Sequence, residues 1–171
     1  MMRDNKSNVT LIGMPGCGKS TIGVVLAKVL GYQFVDTDLL IQERENRLLC
    51  DIIAQDGYTY FSKVEDEVNA SVTGRRKVIA PGGSVCYADR AMEHLCGIST
   101  VVYLRLPYEE IESRLGNLKR RGVLLKENQT LLDLYKERCP LYESYAHMTI
   151  DPEGMGIEEL MDVIVKRLSE V

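Results

Sequence analysis

The sequence contains no tryptophan, no Cys-x-x-C pair and no excess of basic residues. Only two phenylalanines accompany its nine tyrosines, so we expect a mostly aliphatic core. The cysteines are odd in number and widely spaced, which excludes a disulfide framework and a zinc-ligand pattern and favours a reducing compartment. The 21 Lys and Arg residues stand against 25 Asp and Glu residues. The resulting net charge of -4 argues against a nucleic-acid partner.

Long hydrophobic runs are also missing. The polar residues 1–8 are followed by an apolar run of only four residues, 9–12. Neither a signal-peptide core nor a membrane span can be built from this pattern, so we expect a cytoplasmic protein with no membrane partner. A length of 171 residues suits one domain, which we expect to span residues 1–171.

Short β-branched runs alternate with helix-period segments along the chain. This pattern predicts an α/β fold with three α/β/α layers and a five-stranded parallel sheet. A ligand is then expected beyond the carboxyl ends of the strands. Strands are predicted over 9–12, 33–35, 78–80, 99–106 and 147–151, and helices over 20–30, 39–57, 58–73, 129–145 and 157–168, with one more after Pro107. The basic, aperiodic stretch 116–128 predicts a mobile lid.

The strongest motif is GMPGCGKS at residues 13–20, which matches G-x-x-x-x-G-K-[ST] between a predicted strand and a predicted helix. Such a P-loop turns backbone N–H groups and a helix N-terminus toward phosphates, and predicts ATP as a ligand. Lys19 is expected to reach the β- and γ-phosphates and the Ser20 hydroxyl to bind Mg²⁺. Cys17 is expected to be chemically accessible, and the other cysteines to be packing residues. The predicted nucleotide-binding residues here are Gly13, Gly16, Cys17, Gly18, Lys19, Ser20 and Thr21.

Asp36 and Asp38 follow the second predicted strand. Alternation along an extended backbone would turn both carboxylates toward the crevice of the P-loop. One carboxylate could then take part in the Mg²⁺ shell, while the other holds or deprotonates an acceptor hydroxyl. Capping of the next helix is the structural alternative for either residue.

Two further segments are candidates for ligand contact. Gly82 and Gly83 follow the third predicted strand and would let the backbone approach a ligand closely, although a plain turn explains them equally well. A second group is basic and could neutralise phosphoryl charge or simply form a solvated loop. Its members are Arg114, Lys119, Arg120, Arg121 and Arg138.

Taken together, these features resemble the shikimate kinase family, from about Val9 to the last helix. The segment 137–142, ERCPLY, looks like the E-R-x-P-L-Y signature of that family. The resemblance implies that Lys19 and Ser20 serve ATP and Mg²⁺, with Asp36 near the metal. It further implies that Asp38 binds the shikimate hydroxyls and is the candidate base for transfer of phosphate to give shikimate 3-phosphate.

The same resemblance assigns the other site residues. Gly82 and Gly83 would line the pocket of the acid, and Arg138 would hold its carboxylate. Arg121, or Arg120 because the lid is one residue longer than usual, would act on the phosphates during catalysis. Arg114 would stack on adenine. The resemblance thus implies an ATP-dependent kinase of aromatic amino acid biosynthesis, which we expect to be a monomer or a weak dimer.

Three positions depart from the family pattern. Ser62 stands where an arginine is expected after Phe61, and Lys63, one residue on, lies about 100° around the helix. Ser84 occupies the third place of a Gly-Gly-Gly loop, and 122–123 reads Gly-Val where a proline is usual. The first departure leaves the identity of the acceptor open.

Two other functions are compatible with the sequence. One is a related kinase acting on another hydroxylated acid or a nucleoside monophosphate, although enzymes of the latter kind usually carry glycine after the P-loop lysine. The other is an ATP-binding regulator, or a degenerate kinase without an acceptor site, which the serine at position 62 keeps open.

Overall fold

The sheet has five parallel strands in the order β2-β3-β1-β4-β5. The computed structural model describes residues 6–116, 123 and 125–171. The strands are β1 (Asn8–Ile12), β2 (Gln33–Asp36), β3 (Lys77–Ala80), β4 (Ser99–Leu104) and β5 (Met148–Ile150). Every residue of β1 and β4 is buried, as expected for inner strands of a parallel sheet covered on both faces. The predicted α/β fold with a five-stranded parallel sheet is confirmed.

Seven α-helices and one short 3₁₀-helix connect and cover the strands in the described part of the chain. The α-helices are α1 (Lys19–Leu30), α2 (Thr37–Glu45), α3 (Leu49–Ala70), α4 (Asp89–Ile98), α5 (Tyr108–Arg114), α6 (Leu131–Tyr145) and α7 (Ile157–Ser169), and the 3₁₀-helix is Gly83–Tyr87. Helix α1 packs against β2, β3 and α7, whereas α4 packs against α3 and β4. Among the described residues, no helix combines the length and the apolar character that a membrane span needs.

Residues 39–73 were predicted to be helical in two or three segments, with a break near Gly57. The chain forms α2 and then α3, and α3 itself is interrupted at Gly57, whose φ of 82° and ψ of 173° lie outside the helical region. Below this pair lies a small apolar cluster, separate from the main core: Ile41, Ile52, Phe61, Val64 and Val68. This cluster packs α3 against α2.

Candidate active site

A cavity of about 480 Å³ opens at the carboxyl ends of the strands. Its walls come from the P-loop, the junction of β2 and α2, the segment after β3, and helices α3 and α6. The lining residues are Pro15, Gly16, Gly18, Lys19, Ser20, Thr21, Asp36, Asp38, Leu49, Ile53, Phe61, Glu65, Ala80, Pro81, Gly82, Gly83, Ser84, Arg114, Val123 and Arg138. Residues from distant parts of the sequence therefore share one cavity.

The P-loop leaves the N-terminus of α1 facing this cavity. Gly18 is the N-cap, with a φ of 98°, and among the described residues no side chain pairs with the first N–H groups of the helix. These groups are donors for an anion at this position. The Lys19 ammonium donates hydrogen bonds to the carbonyl oxygens of Gly13, at 2.8 Å, and Met14, at 3.0 Å. Lys19, the only cationic side chain of the loop, is thus held at the opening of the loop.

Gly13 and Cys17 belong to the P-loop but do not line the cavity. The Cys17 side chain is 1% exposed, and its sulfur lies 3.8 Å from the Lys19 ammonium. The expectation that Cys17 is accessible is wrong, because the turn directs its side chain into the core. A Cβ on Gly13 would lie 2.7 Å from the Leu104 carbonyl oxygen, so this position has no room for a side chain.

Asp36 caps a helix and also lies beside Ser20. One carboxylate oxygen accepts hydrogen bonds from the backbone N–H groups of Asp38, at 3.0 Å, and Leu39, at 3.4 Å. The other accepts a hydrogen bond from the Ser20 hydroxyl at 3.4 Å. Asp36 therefore caps α2, and the same side chain also lies beside Ser20. A hydroxyl and a carboxylate oxygen at this spacing are the kind of ligands that Mg²⁺ takes.

Asp38 reaches the cavity by a route that sequence alternation did not predict. It lies in the first turn of α2 rather than on an extended strand. Burial, and then the neighbouring Asp36 carboxylate, raise its pKa from 3.8 to about 6, against the opposing effect of Lys19. This carboxylate is therefore mostly ionised at pH 7 but closer to neutrality than an exposed aspartate.

Glu65 is the main site residue that the motif search missed. Its side chain is 2% exposed and lines the cavity from α3. The Ser84 hydroxyl lies 2.9 Å and 2.7 Å from its two carboxylate oxygens. Burial raises the pKa of Glu65 to about 7, although the hydrogen bond from Ser84 lowers it. Two signals were available: Glu65 ends the segment 61–65 that is compared with the F-R-x-x-E pattern of the family, and it lies among the buried Phe61, Val64 and Val68, where a charged residue is unexpected.

The raised pKa of Glu65 makes Glu65→Gln a stability test. Between pH 4.5 and about 7 the folded state keeps a proton that the unfolded chain has released, so the free energy of unfolding falls as pH rises. Removing this carboxylate is expected to raise the free energy of unfolding at pH 8 by roughly 2–3 kcal/mol. This change corresponds to a rise of about 5–10 °C in the melting temperature. The gain should shrink near pH 5, where Glu65 is already protonated in the folded state.

Thermal unfolding of both proteins across pH measures this effect, with Glu159→Gln on the exposed face of α7 as the control. A gain of the same size at both pH values would contradict a titrating Glu65.

Gly82 and Gly83 are required by close approach and not by an unusual backbone. Gly82 has an extended φ of -62°, and Gly83 begins the 3₁₀-helix. A Cβ on Gly82 would lie 2.9 Å from one Asp38 carboxylate oxygen and 3.3 Å from a Glu65 oxygen. A Cβ on Gly83 would lie 2.8 Å from Pro15 Cδ and 3.2 Å from Arg138 Nη1. These glycines let two carboxylates converge beside the P-loop.

We expect Gly82→Ala to impair the site without unfolding the protein. The new methyl group would displace the flexible ends of Asp38 and Glu65 by tenths of an ångström. Misplacement on this scale is expected to lower the kcat/KM of an acceptor about 10- to 100-fold while nucleotide binding persists. Steady-state kinetics with both substrates measures it. Gly97→Ala, where nothing lies within 4 Å of the new carbon, is the control, and equal kinetics for the two variants would contradict the role of Gly82.

Arg138 is a buried cation in the cavity wall, beside Gly83. It projects from α6, is 3% exposed, and its guanidinium carbon lies 5.3 Å from the centre of the Tyr87 ring. Its Nε finds no hydrogen-bond partner among the described residues. The nearby Tyr142 hydroxyl donates a 2.6 Å hydrogen bond to the Gly83 carbonyl, which ties α6 to the segment after β3. A buried guanidinium of this kind suits a carboxylate ligand.

The sequence matches the family model described as shikimate kinase over residues 15–169. The chain belongs to the shikimate kinase family. A shikimate kinase of Clostridium botulinum (strain Eklund 17B / Type B) is 35% identical over 162 residues, which cover 94% of this chain and 96% of that protein. One of Mycobacterium avium is 38% identical over 161 residues, covering 92% and 91%. The predicted family resemblance is thereby confirmed, and the chain is an ATP-dependent small-molecule kinase.

Solved structures agree with this assignment. The shikimate kinase of Acinetobacter baumannii in complex with shikimate superposes with a TM-score of 0.86 at 32% identity, covering 96% of this chain and 93% of that one. The shikimate kinase of Aquifex aeolicus superposes with a TM-score of 0.83 at 29% identity, covering 95% and 96%. The likeness therefore extends over nearly the whole of each chain.

Two departures from the family pattern can be located. Ser62 does not line the main cavity but a neighbouring surface depression, together with Lys63, Tyr87 and Arg90. Lys63 is absent from the cavity wall, so it does not take the place of an arginine at position 62. Ser84, in contrast, lies in the cavity wall and contacts Glu65.

The basic residues divide into described and undescribed ones. Arg114 lines the cavity, and its guanidinium donates hydrogen bonds to Glu110, at 2.9 Å, and to the Gly16 carbonyl, at 3.3 Å. Lys119, Arg120 and Arg121 lie outside the described residues, as does most of the predicted lid, including Gly122.

Proposed function

We propose that this protein transfers the γ-phosphoryl group of ATP to a hydroxyl of shikimate, giving shikimate 3-phosphate and ADP. The observation that carries the proposal is the charge arrangement of one cavity. A P-loop with Lys19 forms one side, the carboxylates of Asp38 and Glu65 converge at Gly82, and the buried Arg138 lies beside Gly83. Such a cavity suits a triphosphate together with a small acid that carries hydroxyl groups.

The P-loop side would bind the nucleotide. The free N–H groups at the start of α1 would bind phosphate oxygens. Lys19 would then donate hydrogen bonds to phosphate oxygens instead of to the carbonyl oxygens of the loop. Ser20 and Asp36 would hold Mg²⁺, which offsets phosphate charge when bound. Arg114, at the edge of the loop, would contact the adenine, and Arg120 or Arg121 would act on the transferring phosphoryl group.

The opposite side would bind the acceptor. Arg138 would pair with the carboxylate of shikimate. This ion pair would offset the free energy that it costs to bury the guanidinium. Gly82 and Gly83 keep the wall thin enough for the ring to approach. Asp38 and Glu65 would accept hydrogen bonds from the hydroxyl groups, because both carboxylates line the cavity near Gly82.

The reaction would be an in-line displacement. As the acceptor oxygen forms its bond to the γ-phosphorus, Asp38 takes the hydroxyl proton and the bond to the bridging oxygen breaks, leaving ADP. A pKa of about 6 leaves Asp38 ionised at pH 7 and ready to accept that proton. Lys19 would stabilise the charge on the transferring group.

A coupled assay of ADP release over a panel of acceptors tests this function. Shikimate is expected to stimulate turnover far above gluconate, homoserine or any nucleoside monophosphate. Faster turnover with a nucleoside monophosphate would replace the proposed acceptor. Calorimetric binding of ATP without shikimate binding or turnover would instead indicate an ATP-binding regulator.

A further inference from the structure

Ser84 joins two walls of the cavity. It lies in the first turn of the 3₁₀-helix after β3, and its hydroxyl approaches both carboxylate oxygens of Glu65, on α3, at 2.7 Å and 2.9 Å. Both side chains line the cavity. A carboxylate has four acceptor positions and no donor when ionised, so the single hydroxyl proton of Ser84 points toward Glu65.

Glu65 is surrounded by groups of both signs. Asp38, from α2, and Asp66, on α3, oppose its ionisation, while Arg138, from α6, favours it. The Cys86 thiol, also in the 3₁₀-helix, lies near enough to interact with Arg138 and Glu65. Among the described residues, Ser84 is the neutral side chain that donates a hydrogen bond directly to this carboxylate. Of the groups that favour the charged form of Glu65, the Ser84 hydroxyl therefore has the largest effect, and it opposes the effect of burial.

We propose that Ser84 is a positioning residue: its hydrogen bond favours the ionised form of Glu65 and holds the carboxylate in place to accept a hydrogen bond from a substrate hydroxyl. The inference rests on the proposed function, since it assigns Glu65 to the acceptor. The hydroxyl of Ser84 restrains the carboxylate by lying within hydrogen-bond distance of both of its oxygens. Such a hydrogen bond to a charged group favours the charged form.

The consequence is a shift of the pH profile in Ser84→Ala. The pKa of Glu65 is about 7 with the hydrogen bond in place, so its loss should move the acid limb of kcat/KM for shikimate upward by about one pH unit. At pH 7 the loss would be about fivefold, and near pH 9 it would nearly vanish. Ser84→Thr, which keeps the hydroxyl, should restore the original limb.

The measurement is kcat/KM for shikimate from about pH 5.5 to about pH 9.5, at saturating ATP, for the protein and both variants. Ser144→Ala is the matched control, because the hydroxyl of Ser144 donates to the Leu141 carbonyl of its own helix and to no other group in the described part of the chain. A uniform loss at every pH, or a limb that stays in place, would overturn the role of Ser84. The same holds if the threonine variant fails to restore the limb while its thermal unfolding matches that of the original protein.

This outcome can be distinguished from failure of the proposed function. If the unmodified protein gives no shikimate-dependent ADP release, the proposed function itself is wrong, whatever Ser84 does. If it turns over shikimate and Ser84→Ala leaves the pH profile unchanged, only the inference about Ser84 falls.

Discussion

Asp38→Asn is expected to lower kcat for shikimate phosphorylation about 10²- to 10⁴-fold, the usual contribution of a positioned general base. Asparagine has nearly the same shape and still fits the first turn of α2, but it cannot take a proton from the attacking hydroxyl. ATP affinity should change little, because Lys19 and the N-terminus of α1 remain in place. The loss should therefore fall on turnover and not on nucleotide binding.

The experiment compares kcat and the calorimetric Kd for ATP in this variant and in Asp162→Asn, which alters an exposed carboxylate on α7. The pH profile gives a second measurement. In the original protein, kcat should fall as pH drops through about 6, where Asp38 becomes protonated, and this limb should vanish in the variant. If the variant retained most of the activity, Asp38 would not be the group that takes the proton.

The parts of the site that the sequence predicted are those formed locally. Every residue of the P-loop lies within eight positions of Gly13, so its motif predicted where Lys19 and Ser20 stand. The position of Asp36 is also set locally, because it directly follows the predicted second strand and ends β2. The alternation argument for Asp38 failed because Asp36 caps α2, which ends the extended backbone before Asp38. The carboxylate reaches the cavity because it lies in the first helical turn.

The parts that were missed depend on contacts between distant segments. Ser84 and Glu65 are 19 residues apart in sequence and meet only because α3 packs beside the segment after β3. The ring of Tyr87 lies near the guanidinium of Arg138, which belongs to α6. A single sequence carries a weak signal for Glu65, its place on an apolar helix face, and none that pairs it with Ser84.

Arg138→Met is expected to lower kcat/KM for shikimate about 30- to several-thousand-fold, since losing one partner of a buried ion pair costs roughly 2–5 kcal/mol. Methionine has a similar length and packs in apolar surroundings, so the fold should persist. Removing a buried guanidinium whose Nε has no partner among the described residues should even stabilise the protein without ligand. Loss of function together with equal or greater stability would mark Arg138 as a binding residue.

The decisive comparison uses shikimate and its methyl ester, which lacks the carboxylate charge. The original protein should strongly prefer the acid, and Arg138→Met should lose this preference by slowing turnover of the acid while leaving that of the ester almost unchanged. Arg167→Met, at an exposed position of α7, should behave as the original protein. If the variant still discriminated between acid and ester, Arg138 would not hold the carboxylate. If it slowed both equally, the effect would act through Glu65, whose ionisation Arg138 also favours.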